Sequence, residues 1–150
     1  DYGGVRDHQL RTLEHIGIFQ DPLPPRPAER PRLVNPYDEA APREARVRSY
    51  LHVNCSTCHV GEGGGNAPME LGLTTPLGQT RLIYEAPIHN RFDIKDARVI
   101  APGAPERSVL FYRVSRRGVG QMPPLVSTEV DRKAVELIGE WIRGLRPTRQ

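Results

Sequence analysis

A chain of 150 residues is the size of one ordinary domain with an extension, too short for two full hydrophobic cores. Fifteen prolines and fourteen glycines against 37% hydrophobic residues describe a loop-rich protein whose centre needs something besides aliphatic side chains to fill it. A formal charge of +3 is too modest to argue for a nucleic-acid or membrane surface, and no run of about eighteen apolar residues is present to span a bilayer.

Leu10, Leu13 and Ile16 fall at helical spacing, with Asp7 available as a cap and Gly17 placed to end the turn. The spacing predicts a short helix from Asp7 to about Ile16. His8 and His15 lie on its polar face, where a lone histidine is ordinarily solvated. Between Pro22 and Pro42 seven prolines fix φ and remove N–H donors, which excludes helix and central strand and leaves an extended segment. Leu33, Val34 and Tyr37 would anchor that segment as a strap. The expected division is therefore near residue 40: residues 1–40 an N-terminal helix and proline-rich strap, residues 41–150 the main domain.

Pro42 suits a first helical position, Glu44 favours the positive end of the dipole, and Val47, Tyr50, Leu51 and Asn54 recur at helical spacing. A helix therefore runs into Cys55-Ser56-Thr57-Cys58-His59. The following Gly61-Glu62-Gly63-Gly64-Gly65 reads either as a flexible loop or as backbone that passes close to a flat cofactor. From Pro68 to Pro102 the signals are weak, with Arg81 to Tyr84 and Arg98 to Ile100 as candidate short strands. Pro105 starts another predicted helix, Glu106 to about Ser115, which carries Val109, Leu110, Arg113 and Val114 and is ended by Gly118 and Gly120. The last helix is the clearest. Thr128 caps, Asp131 completes a capping box, and Val130, Ala134, Leu137, Ile138, Trp141, Ile142 and Leu145 share one face. Trp141 is expected to pack against the helix that carries Tyr50 and Leu51.

Residues 55–59 spell C-x-x-C-H, the attachment signature of a c-type haem. Two thiols three positions apart lie on one side of a helical turn, where each can add to one of two vinyl groups on the same haem edge, and the next residue brings an imidazole to the iron. Three other chemistries use similar residues. A structural zinc site needs four ligands, and the chain has no second cysteine pair. A thioredoxin-like redox pair wants a βαβ context. A Cys55–Cys58 disulfide closes too small a loop to stabilise much and leaves His59 unexplained.

The second axial position needs another donor, and Met69 and Met122 are the chain's two thioethers. Met69 follows the motif too closely to cross comfortably to the opposite face. Met122 lies in Gly120-Gln121-Met122-Pro123-Pro124, where two prolines stiffen the loop and lower the entropy lost in holding the sulfur. Met122 is the expected ligand, Met69 an apolar contact, and His52 and His89 are weaker nitrogen candidates.

A helix entering C-x-x-C-H, a Met-Pro-Pro loop and an aromatic-bearing terminal helix together resemble a small monohaem cytochrome c of the His/Met type, over about residues 43–146. More narrowly, Ser49-Tyr50-Leu51-His52-Val53-Asn54, Ala101-Pro102-Gly103-Ala104-Pro105-Glu106-Arg107-Ser108 and the Met-Pro-Pro loop resemble the cytochrome domains at the carboxyl ends of large bacterial secreted proteins. Some of those carry sugar-dehydrogenase-like propellers that use pyrroloquinoline quinone (PQQ). The resemblance implies a mainly α, cytochrome c-like fold in residues 41–150 around one covalently attached haem c. Because the stretch from His59 to Met122 is long for a minimal cytochrome c, an irregular or short β-hairpin insertion is expected there.

The implied site is Cys55 and Cys58 for attachment, with His59 and Met122 on the metal. The implied function is electron transfer, since iron closed by two protein ligands has no position free for substrate. The chain would then be a carrier domain and not itself an enzyme. Its partner would be a redox protein, a fused or associated PQQ-dependent dehydrogenase being the candidate, with no nucleic acid and no membrane span. Haem is attached to such motifs outside the bacterial cytoplasm, so a periplasmic or extracellular location is expected. The competing class is a haem enzyme or gas sensor, peroxidase-like, with a labile distal ligand. It would need acid and base groups around an open site, and no such constellation is visible in the sequence.

Overall fold

The computed structural model describes residue 4 and residues 7–23, 31–125 and 127–146. The chain forms two units, Asp1–Pro31 and Arg32–Gln150. In the first, α1 spans Gln9–His15, inside the predicted range. His8 holds the N-cap position, and the Asp7 carboxylate accepts the His8 N–H at 2.7 Å instead of capping the helix. Gly17 and Ile18 close the other end through N–H bonds to the Glu14 and Leu13 carbonyls. No residue of α1 is buried, and His8 and His15 are exposed.

Residues 24–30 of the proline-rich stretch lie outside the described residues, and residues 32–42 pack with the second unit. The Val34 N–H donates to Ser49 Oγ at 3.0 Å, Arg46 Nε donates to the Pro36 carbonyl at 2.7 Å, and the Tyr37 hydroxyl donates to the Asp131 carboxylate. Burial and that carboxylate push the Tyr37 hydroxyl up to about 12. The two units therefore divide between residues 31 and 32, with the strap's last ten or so residues tied to the helices that follow.

The second unit is mainly helical, with α2 (Arg43–Cys55), α3 (Val109–Val114) and α4 (Arg132–Gly144). α2 follows Pro42 and buries Val47, Arg48, Ser49 and Leu51. α4 buries Ala134, Leu137, Ile138, Gly139, Trp141 and Ile142 along the expected face. It starts later than the capping box predicts. Asp131, not Thr128, is the N-cap, because its Oδ1 accepts the Ala134 N–H at 3.0 Å. α4 packs on both α2 and α3, with Trp141 and Leu51 in one core and Tyr50 against it. The helix predicted from Glu106 is broken at Ser108, whose extended backbone separates a 3₁₀ turn, Pro105–Arg107, from α3. Ser108 is fully buried. Its hydroxyl accepts the Ala101 N–H and donates to the Ala104 carbonyl, both at 2.9 Å, so the side chain holds the break in place.

Residues 56–104 are irregular apart from one 3₁₀ turn, Leu77–Gln79. The two candidate strands survive only as isolated bridges, Ile83 to Ile100 and Arg98 to Ser108. Both are parallel, whereas a hairpin is antiparallel, so no hairpin forms among the described residues. The segment is not an appendage, since Leu71, Leu82 and Ile100 sit in the same core as the helices. No helix among the described residues is long and apolar enough to cross a membrane.

Arg48 is the least expected core residue. It is 9% exposed, and its Nη2 donates to the carbonyls of Gly72 at 2.9 Å, Leu73 at 3.2 Å and Thr75. A buried cation is tolerable where its N–H groups meet carbonyl oxygens, and this one ties the irregular 72–75 turn to α2. Arg48→Met keeps apolar bulk and strands those carbonyls. Losing charge-assisted bonds at a buried site is expected to cost about 2–4 kcal/mol in denaturant unfolding. A loss within about 0.5 kcal/mol, the range of ordinary surface substitutions, would show that the 72–75 turn does not need this brace.

Candidate functional site

α2 ends on Cys55, and the chain then turns back on that residue's own carbonyl. The Cys55 oxygen accepts the Cys58 N–H at 3.1 Å and the His59 N–H at 2.8 Å, which sets both residues one turn beyond the helix. Ser56 reinforces the stop, donating through N–H and hydroxyl to the His52 carbonyl at 3.2 and 2.6 Å. His52 is thereby given a structural place. Its Nδ1 accepts the Leu73 N–H at 3.2 Å, and it does not line the cleft described below.

The glycine run wraps the motif. The Gly65 N–H donates to the Cys58 carbonyl at 2.8 Å. A Cβ at Gly65 would stand 2.6 Å from that carbonyl oxygen and 2.9 Å from His59 Nδ1, and one at Gly63 would stand 2.3 Å from the same oxygen. Side chains at either position would force the loop off Cys58 and His59, which is the physical reason for glycine at both. Beyond the loop, the Leu71 N–H donates to the His59 carbonyl at 2.8 Å, so the residue after the cysteines is held from both sides.

A cleft of about 740 Å³ opens beside the motif, within the range of small-molecule and cofactor sites. Cys55, Cys58, His59 and Met122 all line it, joined by Val99, Val109, Leu110 and Val114 as apolar wall. Met69 and His89 line it as well, so the structure gathers both thioethers and one of the two weaker nitrogen candidates. Arg81, Glu85, Asn66 and Asn90 also line it, none of them singled out in the sequence as a site residue, because they come from irregular chain where no repeat points a side chain inward. Arg113 joins them from α3, a helix that the spacing predicts.

The cysteines are free and unequal, Cys55 partly buried and Cys58 exposed. Burial pushes the Cys55 thiol up to about 12, and Cys58 adds to the effect. His59 Nδ1 is buried with no hydrogen-bond partner among the described residues. No group of three or more His, Cys, Asp or Glu side chains among the described residues is arranged to hold a metal ion. What the cleft presents is two free thiols, the His59 side chain and thioether sulfur against an apolar wall. Comparison of the chain with family models, curated proteins and solved structures finds no match.

The thiols make a test on the cofactor-free chain. At pH 8 Cys58 should alkylate with iodoacetamide well before Cys55, since the thiolate is the nucleophile and each unit of pKa removes about tenfold of it. The Cys55 rate should climb only toward pH 12. Because the folded thiol is held protonated above its ordinary 9.0, its contribution to stability is complete below about pH 9 and is lost as pH rises through about 12. Equal alkylation rates at pH 8 would mean that the end of α2 is open in solution.

Proposed function

We propose that residues 41–150 are a cytochrome c domain that transfers single electrons, with one haem c attached through Cys55 and Cys58 and its iron held by His59 and Met122. The observation that carries this reading is the cleft on whose lining all four residues converge. The donor set fits the group: two unpaired thiols, a His59 imidazole on the lining whose buried Nδ1 has no competing partner, and soft thioether sulfur in an apolar setting. A mainly α unit with a motif-bearing helix packed on a terminal helix supports the cytochrome c-like fold within the same reading.

When bound, a haem with imidazole and thioether ligands supplies one-electron exchange, the thioether favouring the reduced state. The protein's own residues do the rest. Cys55 and Cys58 retain the cofactor covalently, and the turn onto the Cys55 carbonyl holds the His59 imidazole at the cleft. Val99, Val109, Leu110 and Val114 exclude water, lowering the local dielectric around the metal. Met122 would supply the second protein ligand, which would make the chain a carrier and not an enzyme. Its partner is a redox protein, with a fused or associated PQQ-dependent dehydrogenase the leading candidate, and its place is the periplasm or the cell exterior.

A second reading, a peroxidase-like enzyme or gas sensor, draws on Glu85 and His89, two titratable groups on the cleft lining. The two readings separate on the sixth ligand. In the haem-loaded protein, Met122→Ala should abolish the long-wavelength sulfur–iron charge-transfer band. It should also lower the reduction potential by on the order of 0.1 V, a fraction of the roughly 0.8 V that axial ligands span, and let carbon monoxide bind readily. Met69→Ala should do none of these. The reverse pattern would move the ligand to Met69, and fast peroxide turnover by the unmodified protein would favour the enzyme.

A further inference from the structure

Met122 sits in a loop that apolar burial does not hold. Val119 is 92% exposed and Leu125 75% exposed, so two of the loop's largest hydrophobic side chains face solvent. Its order comes from polar bonds instead, and they converge on the residue before the methionine. The Gln121 carboxamide makes three hydrogen bonds: Oε1 accepts the Gly118 N–H at 2.6 Å, and Nε2 donates to the Pro123 and Ser127 carbonyls, each at 3.0 Å. The Gln121 N–H adds a bond to the Gly118 carbonyl at 3.0 Å. One side chain therefore ties together the entry to the loop, the residue just after Met122 and the exit.

A second brace comes from α3. The Arg113 carbonyl accepts the Met122 N–H at 3.1 Å, and Arg113 Nη1 donates to the Gly120 carbonyl at 3.1 Å. The Arg113 guanidinium lies over the Phe92 ring, 4.7 Å from its centroid, and Phe92 stacks on Tyr112 at 4.5 Å. Gly120 completes the brace: its φ is +83°, and a Cβ there would stand 2.6 Å from the Phe92 ring. The residue that carries the thioether is thus pinned to a core helix, and the residues before and after it are pinned to the loop's own ends.

We propose that Gln121 and Arg113 are positioning residues that hold the Met122 thioether ready for axial ligation. This rests on the assignment of Met122 as the sixth ligand. The physical basis is preorganisation. A loop free to sample other conformations presents the sulfur for only a fraction of the time, and the sulfur–iron bond weakens by that fraction. Gln121 supplies the loop's internal ties, and Arg113 its attachment to α3.

The test uses the haem-loaded full chain. Gln121→Leu removes all three carboxamide bonds at similar volume, and Arg113→Lys keeps the charge while losing the planar stack on Phe92 and the directed bond to Gly120. Both variants should keep haem attached and lose most of the sulfur–iron band, with a potential shifted in the same direction as Met122→Ala. In the cofactor-free chain the Met122 amide should exchange with deuterium roughly tenfold faster, the effect of losing about one hydrogen bond of ordinary strength. If Gln121→Leu fails to accumulate, Gln121→Glu carries the same expectation, because it keeps the acceptor for Gly118 and loses both donated bonds. Unchanged band, potential and exchange in these variants would overturn the positioning role while leaving Met122 as ligand. Absence of the band in the unmodified protein would overturn the ligand assignment and the positioning role together.

Discussion

The Cys55 carbonyl oxygen, accepting the N–H groups of both Cys58 and His59, is the contact from which the rest of the site follows. It ends α2 and spaces the second thiol and the imidazole one turn past the first thiol. That turn holds only if its neighbours leave room, and Gly63 and Gly65 do so by bringing bare backbone against the Cys58 carbonyl. It stays in place only if α2 does not move, and Leu51 with Trp141 in the shared core provides that anchor. A helix seated by apolar packing at its middle and stopped by hydrogen bonds at its end is a rigid mount for reactive side chains.

The rest of the cleft lining is held by a different physics. α3 contributes Val109, Leu110 and Val114 to the cleft, but the Met122 loop beyond it is held by carboxamide, guanidinium and carbonyl groups. Polar bonds of this kind specify position without demanding burial, which suits a loop with Met122 on the cleft lining and Val119 and Leu125 exposed. The long connection between α2 and α3 is part of the core as well. Leu71, Leu82 and Ile100 insert beside the helices, and Arg48 fastens the 72–75 turn to α2.

What the amino-acid sequence makes legible is whatever repeats or punctuates. The apolar face of α4 is readable from Ala134 to Ile142, and α2 from the spacing of Val47 and Leu51. Cys55, Cys58, His59 and Met122, singled out from motif and loop chemistry, all line one cleft. Helix starts are less legible, because Thr128 and Asp131 are both good caps and only the position of the Ala134 N–H decides between them. The stretch between Leu71 and Ser108 is nearly opaque. It is built from isolated bridges and from five non-glycine residues at positive φ, Arg81, Tyr84, Phe92, Asp93 and Asp96, which no periodicity announces. Arg48 hides for a related reason: its partners are backbone carbonyls, and a carbonyl carries no residue name.

Covalent attachment at Cys55 and Cys58 is the claim on which the functional reading stands, and mass spectrometry tests it directly. The protein produced in a cell equipped for c-type haem attachment, then denatured and extracted with acid–acetone, should retain its haem on the peptide that contains residues 55–59. Cys58→Ala should leave at most one thioether bond and a poorly retained cofactor. Free haem released from the unmodified protein, or a zinc ion bound to the cysteines in its place, would contradict the account.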